Sequence, residues 1–333
     1  MSFTSALKQD DEHRTARRKI AETTFAAIAQ GSFDLNGNSY LLRLKVENSK
    51  KRTLYFDPDS LLSTWSSNPH PSTHPTASST KTEIAILEIS TLCGARFLAT
   101  NSSDPSRIGV LNFASAKKPG GGVLSGAQAQ EESIARSSTF YPTLLTSTAQ
   151  KFYTLHNRDA KDGYYSHAMI YSPEVVVFRD DDGGWVEPLA IDVLTSPAVN
   201  AGVVRKSLRG RLAVQAEEDR IERVMKERMA RILFLFEKKG VKDVVLGSFG
   251  TGVFRNDVKV VAKLWADLLS VPKARFKHSF NHVVFAILGR KTFVDFDGTF
   301  NARMEEATDS EPTSRTQDAK QPYVLHVVFD HVL

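Results

Sequence analysis

The chain has 333 residues, 41% hydrophobic and 24% charged, and 43 basic against 38 acidic residues leave a net charge of +5. These are ordinary values for a folded chain that buries a substantial core as one large α/β domain or two smaller ones. A lone cysteine, Cys93, excludes an intramolecular disulfide, no window approaches the roughly 18 apolar residues of a membrane span, and a start carrying Asp10, Asp11 and Glu12 lacks the order of a signal peptide.

Ile20, Phe25, Ala26, Ile28 and Ala29 supply the apolar positions of a helix predicted over residues 5–30. The basic runs Arg14, Arg17, Arg18, Lys19 and Lys50, Lys51, Arg52 read as solvated faces. Leu42, Leu44 and Val46 alternate with polar residues and predict a half-buried strand from Tyr40 to Val46. From Ser63 to Thr82 the composition turns to Ser, Thr, Pro and His. His70 and His74 are four apart, but Pro69, Pro71 and Pro75 forbid the helix that would pair them, so a flexible surface loop is expected. Residues 1–82 are read as an N-terminal extension and 83–333 as the main body, together one compact unit.

Beyond residue 82 the pattern becomes regular. Glu83–Ile89 is predicted as a strand and Leu92–Thr100 as a helix, with Cys93 a buried thiol among Leu92, Ala95, Phe97 and Leu98. Ile108–Asn112 reads as a buried strand and Gln128–Ser138 as a helix. Val175–Phe178 and Pro188–Leu194 are strands joined by Asp180-Asp181-Asp182-Gly183-Gly184, which lacks the rest of a calcium loop and reads as a turn. A long amphipathic helix covers Gln215–Lys239 and is capped by Gly240. The strand Val241–Leu246, the loop Gly247–Gly252, a helix over Asp257–Leu269 and the strand His282–Leu288 follow. Residues 301–322 are polar and expected to be a mobile insertion, with Tyr323–Val332 an edge strand; there is no internal repeat. Strands alternating with helices predict a three-layer α/β/α architecture with a mixed sheet.

Two glycine-rich loops each follow a short apolar strand and each precede a helix. Glycine lets a backbone approach a phosphate, and the next helix offers free N–H groups and a positive dipole end. Neither loop is a standard nucleotide motif. Lys117-Lys118-Pro119-Gly120 is not followed by Gly-Lys-Ser/Thr, and Gly247, Gly250 and Gly252 are spaced GxxGxG. The first loop leads to Gln130-Glu131-Glu132 at a helix start, where carboxylates also serve plain helix stabilisation. A carboxylic acid held there could instead protonate the leaving oxygen of a glycosidic bond.

The run Val110-Leu111-Asn112-Phe113-Ala114-Ser115-Ala116, through Pro119-Gly120-Gly121-Gly122 to Gln130-Glu131-Glu132, strongly resembles the signature of poly(ADP-ribose) glycohydrolases in their compact bacterial and fungal form. Tyr165–Arg179, Ser196–Gly202 and Gly247–Asn256 match in the same order, so the resemblance covers about residues 85 to 290. It implies a macrodomain-like core with additional N-terminal helices and hydrolysis of the ribose–ribose bond, mainly from the chain end, releasing ADP-ribose. It further implies Glu132 as general acid and then base, Glu131 on the ribose hydroxyls, and Asn112 on the distal ribose. Gly120, Gly121, Gly122, Val123 and Gln130 would line the catalytic loop. Ser248, Phe249, Gly250, Thr251, Gly252, Val253 and Phe254 would wrap the diphosphate, with an aromatic ring against the ribose. Tyr164, Tyr165 and Tyr171 are candidates for the tyrosine over the adenine, and Phe285 is either the adenine-stacking ring or a core residue. No metal or cofactor is implied. The expected partners are poly(ADP-ribose), ADP-ribosylated proteins and the product ADP-ribose, with no membrane and no direct DNA binding. The expected form is an intracellular monomer, nuclear or cytoplasmic, that reverses ADP-ribosylation in the DNA damage response. Two alternatives remain: a non-catalytic ADP-ribose reader, which would not need Gln130-Glu131-Glu132, and a hydrolase of single protein-linked units.

Overall fold

The computed structural model describes residues 3–67, 82–101 and 107–309. It begins with α1 (Phe3–Gln30), the hairpin β1 (Ser32–Leu35) and β2 (Asn38–Leu41), α2 (Arg43–Arg52) and β3 (Leu54–Phe56). Then come β4 (Glu83–Leu87), α3 (Thr91–Asn101), β5 (Ile108–Phe113), α4 (Gln130–Ser137), α5 (Phe140–Leu144), α6 (Ser147–Arg158), β6 (Met169–Arg179) and β7 (Trp185–Ser196). The last third holds α7 (Ala201–Lys206), α8 (Leu208–Leu212), α9 (Val214–Lys238), β8 (Asp243–Leu246), α10 (Val258–Leu269), β9 (His282–Ala286) and α11 (Arg290–Asp309).

Seven strands form one mixed sheet in the order β3-β6-β7-β5-β8-β9-β4. β7, β5, β8, β9 and β4 run parallel, while β6 is antiparallel to β3 and β7. Parallel neighbours need crossovers, and helices supply them on both faces. Alternation along β5 puts Leu111 in a core with α9 and α10 (Met229, Leu233, Trp265) and Val110 in one with α3, α4 and α6 (Leu98, Ile134, Phe152). The predicted three layers are thus present, and the carboxyl ends of β5, β7 and β8 open on one edge, where ligands bind in such sheets.

The N-terminal segment is joined to this body, because β3 is the sheet's outer strand and α1 packs on α4. The predicted strand Tyr40–Val46 is not formed: pairing ends at Leu41, and α2 begins at Arg43. Leu42 and Val46 lie four apart, so one helical face buries both against Val176 and Phe178, while Leu44 is 76% exposed. The apparent alternation was a helical stripe sampled at every second residue.

Residues 301–309 belong to α11, whose Phe296 and Phe300 pack on Phe285, so this part of the expected insertion is ordered. The rest of it, the predicted strand Tyr323–Val332, and His70 and His74 with their prolines lie outside the described residues. Cys93 is exposed rather than buried: Leu92, Ala95 and Leu98 take the inner face of α3, and its thiol faces the Asp181 carboxylate at 3.5 Å. Sequence patterning also missed α6 and the start of α11. Among the described residues no helix is long and apolar enough to cross a membrane.

Candidate active site

β5 delivers Asn112 and Phe113 to the open edge of the sheet, and residues 114–129 loop outward before returning as α4. The helix starts at Gln130 without a side-chain cap; Ala129 is fully extended (φ −145°, ψ 178°). What fixes the start is the Gln130 carboxamide. It accepts from Phe113 N (2.8 Å) and donates to Leu111 O (2.7 Å), continuing the ladder of β5 as a short strand would. Gln130, expected to line the substrate loop, therefore serves to anchor α4, and Glu131 and Glu132 fall in the first turn, at the positive end of its dipole.

Both carboxylates turn back beneath the glycine loop, 3% and 8% exposed respectively. Glu131 Oε2 accepts from Ser115 N (2.6 Å), and Oε1 from the Asn112 amide (3.3 Å), which also reaches Thr195. Burial pushes the Glu131 carboxyl up to about 8, aided by the neighbouring Glu132 charge and opposed by the Ser115, Asn112 and Gly120 hydrogen bonds. Burial thus favours the protonated form of Glu131. Glu132 Oε1 accepts from Gly122 N (2.8 Å), while its Oε2 is buried with no partner among the described residues.

The glycines are dictated by this convergence. Gly120 and Gly121 have φ of +63° and +59°, and a Cβ on Gly121 would collide with Glu132 Oε1 and lie 3.1 Å from Glu131 Oε2. Val123 points the other way, 2% exposed in the core under α4; it shapes the loop from behind.

The second loop, between β8 and α10, is built differently. Gly247 passes against Phe113 and the Ala286 carbonyl with no room for a Cβ, and the Trp265 indole donates to its carbonyl (3.1 Å). Gly250 has φ +76° and lies on Ala198. Asn256 closes the loop by donating to Gly250 O (2.9 Å) and Val199 O (2.7 Å). Thr251 N and hydroxyl both return to Ser248 O. The amides of Gly250, Gly252, Val253 and Phe254 have no partner among the described residues. Such a run of free N–H groups is an anion cradle.

The aromatic candidates separate cleanly. The Phe249 ring is fully buried against Phe113 (5.6 Å), so this residue offers its backbone alone and is not the ring against a ribose. Phe254 is half-buried, 5.9 Å from the Tyr165 ring, and Val253 is 81% exposed. Of the three tyrosines, only Tyr165 comes to this loop, held at φ +55° with His156 against its other side (5.6 Å). Tyr164 is buried on Glu217 (2.7 Å), and Tyr171 donates to Asp192 (2.6 Å) at the opposite end of the sheet. Phe285 is a core residue among Trp265, Phe296 and Phe300.

Three functional residues escaped sequence reasoning. Asn256 is one. Arg228 is the second: fully buried on α9, it donates to Pro197 O and Tyr164 O (both 2.9 Å), tying together the segments beneath the second loop. Burial pushes its guanidinium down to about 9 and helps keep His156 neutral, at about 4. A signal existed, since an arginine interrupts the stripe Ile221, Met225, Met229, Ile232. The third is Arg17, read as a solvated cation. It donates from α1 to Gly126 O (2.7 Å) and Gln128 Oε1 (3.0 Å), pinning the first loop from outside. Nothing local could reveal a contact spanning 109 residues.

Four buried polar atoms without a partner among the described residues ring this edge: Asn112 Oδ1, Glu132 Oε2, Ser196 Oγ and Asn256 Oδ1. Native chains rarely leave such atoms unpaired, and a polar ligand would pair them. A carboxylate pair at one end and an anion cradle at the other suit a sugar joined to a diphosphate.

The family model "Microbial-type PARG, catalytic domain" matches residues 21–180. The chain is also similar to the crystal structure of poly(ADP-ribose) glycohydrolase from Thermomonospora curvata, with 35% identity and a TM-score of 0.75 over 87% of this chain and 99% of that one. The same bacterial enzyme bound to the inhibitor ADP-HPD matches at 34% identity and TM-score 0.73, over 87% and 99% of the two chains. The Deinococcus radiodurans enzyme in complex with ADP-ribose matches at 30% identity and TM-score 0.65, over 82% and 99%. No curated protein sequence matches.

Proposed function

The chain belongs to the poly(ADP-ribose) glycohydrolase family and hydrolyses the ribose–ribose O-glycosidic bond of poly(ADP-ribose), and we propose that Glu132 moves the proton in that reaction. The observation that carries the assignment is the asymmetry of the glutamate pair. Both Glu131 oxygens are engaged by Asn112 and Ser115, whereas Glu132 has one oxygen on Gly122 and one without a partner. An acid catalyst needs a carboxyl oxygen free to reach the leaving group.

With the terminal unit bound, the second loop wraps its diphosphate through the amides of Gly250, Gly252, Val253 and Phe254. Asn112 and Glu131 hold the distal ribose, and Tyr165 with Phe254 borders the adenosine side. Glu132 protonates the 2′-oxygen of the leaving adenosine ribose as the bond to C1″ breaks and an oxocarbenium-like centre develops. The Glu132 carboxylate then takes a proton from water, whose oxygen bonds to C1″ and completes ADP-ribose. Cutting mainly from the chain end is the mode that the family resemblance implies.

Glu132→Gln keeps the shape and removes the transferable proton. Release of ADP-ribose from automodified polymer is expected to fall by about 10²–10⁴-fold. ADP-ribose should still raise the melting temperature of the variant, by the equivalent of about 2.7 kcal/mol at a hundredfold excess over its dissociation constant. A variant that retains full turnover would remove Glu132 from this role.

A further inference from the structure

The first loop carries charges that the chemistry above leaves unused. Lys117 and Lys118 are both exposed. Lys118 O accepts from Gly121 N (3.0 Å), the glycine that lies against the two glutamates, and the Asn157 amide holds Lys117 O (3.0 Å). The lysines therefore sit on anchored backbone, in the same loop as the amides of Ser115 and Gly122 that hold the glutamate pair. On the far flank of the same loop, Gly126 lies under α1, close to the backbone of Arg14 and the Cγ of Arg18. On this side of α1 Arg17 is occupied with Gly126 and Gln128, Ala21 is buried, and the Arg18 guanidinium donates to the Thr15 hydroxyl (2.9 Å). Neither lysine nor Arg18 forms an ion pair among the described residues, and Arg14 pairs only with exposed Asp10 at 3.4 Å, a contact worth little in water.

We propose that Lys117, Lys118, Arg14 and Arg18 form a landing rim for the polymer remaining beyond the scissile bond, that is, for the diphosphates of the leaving strand. The inference rests on the reading of Glu132 as the acid, because that reading places the leaving oxygen on the glycine-loop side of the cleft. Each unit of the leaving strand carries two phosphate charges, and the anion cradle of the second loop is already committed to the terminal unit. Cations about the first loop are placed to meet the next diphosphate. Such contacts with a flexible polyanion are non-directional and salt-dependent, which suits exposed lysines better than a rigid pocket.

The test is a triple variant, Lys117→Gln with Lys118→Gln and Arg18→Gln, compared on two substrates. One is long polymer; the other is an aryl O-glycoside of ADP-ribose, whose leaving group carries no phosphate. On polymer, kcat/KM should fall roughly tenfold at low salt, through KM, and the slope of log KM against log salt should drop by about two units. Turnover of the aryl glycoside should stay within twofold, and Lys117→Arg with Lys118→Arg should behave as the native chain. Equal losses on both substrates would mean that the loop had merely been distorted, and an unchanged salt slope would mean that no phosphates land there; either overturns the rim. The same three substitutions in the Glu132→Gln background should weaken binding of polymer but not of ADP-ribose. That comparison decides the rim even if Glu132→Gln proves active and the catalytic reading fails. Tighter native binding of a single-stranded RNA of equal charge, lost on removing the cations, assigns the surface to nucleic acid and overturns the proposal as well.

Discussion

The two glycine loops leave neighbouring strands of one sheet, yet they are wired in opposite ways. The first ties its amides to side-chain carboxylates: Ser115 N to Glu131 and Gly122 N to Glu132. The second is tied by a neutral carboxamide, Asn256, through carbonyls, and leaves the amides of Gly250, Gly252, Val253 and Phe254 facing outward. In the proposed reading, one loop positions charge for a proton to move, and the other offers dipoles for a charge to rest on. A shared composition thus yields two functions, and the difference lies in which backbone groups are already satisfied.

The strongest way to break the contrast is Gly121→Ala. The new methyl meets the Glu132 carboxylate, at a φ of +59° that costs an L-residue about 1–2 kcal/mol. A displacement of about 1 Å at a reacting group costs on the order of 10²-fold, so kcat should drop by about that much with ADP-ribose affinity nearly unchanged, as read from turnover and calorimetry together. Loss of affinity at unchanged kcat would show that the first loop is a binding cradle after all.

The converse substitution, Asn256→Ala, frees the carbonyls of Val199 and Gly250 and lets the second loop relax. Two lost hydrogen bonds at about 1 kcal/mol each predict a rise in KM of up to roughly thirtyfold, with kcat changed less than threefold. A fall in kcat alone would place the second loop in the chemical step.

The last effect concerns pH. Glu131 is raised by burial to about 8 from its ordinary 4.5, so the folded chain holds its proton more tightly than the unfolded chain. The stability this contributes is whole below about 4.5 and is lost as pH rises through about 8. The melting temperature should therefore decline across that window, and Glu131→Gln should flatten the decline. Asn256→Ala, with no titrating group in its hydrogen bonds, should keep the native slope. Identical slopes in the native chain and Glu131→Gln would show that Glu131 is already ionised.

Much of this was legible in the residues. Apolar runs leading into glycine-rich loops and then helices located β5, β8 and α10, because strand burial and turn residues are local patterns. The Gln130-Glu131-Glu132 triplet stood out for the same reason. Periodicity failed where two periods coincide over few residues, as at Leu42, Leu44 and Val46. It also failed at Cys93, where apolar neighbours on a helix reveal a buried face without saying who shares it.

The residues alone determined the α/β/α layering, the two loops, the carboxylate pair and, through the ordered resemblance of four segments, the chemistry. These follow from the covalent nature of each residue and its near neighbours: the missing Cβ of glycine, the period of a strand, the acidity of glutamate. Tertiary structure alone decided which glutamate keeps an unpaired oxygen, which has its carboxyl raised by burial, that Gln130 anchors α4, and that Tyr165 rather than Tyr164 or Tyr171 lies beside Phe254. It alone brought Arg17 across 109 residues onto the catalytic loop. Desolvation and hydrogen-bond saturation depend on every group packed around an atom, and those groups come from distant parts of the chain that only the folded sheet brings together.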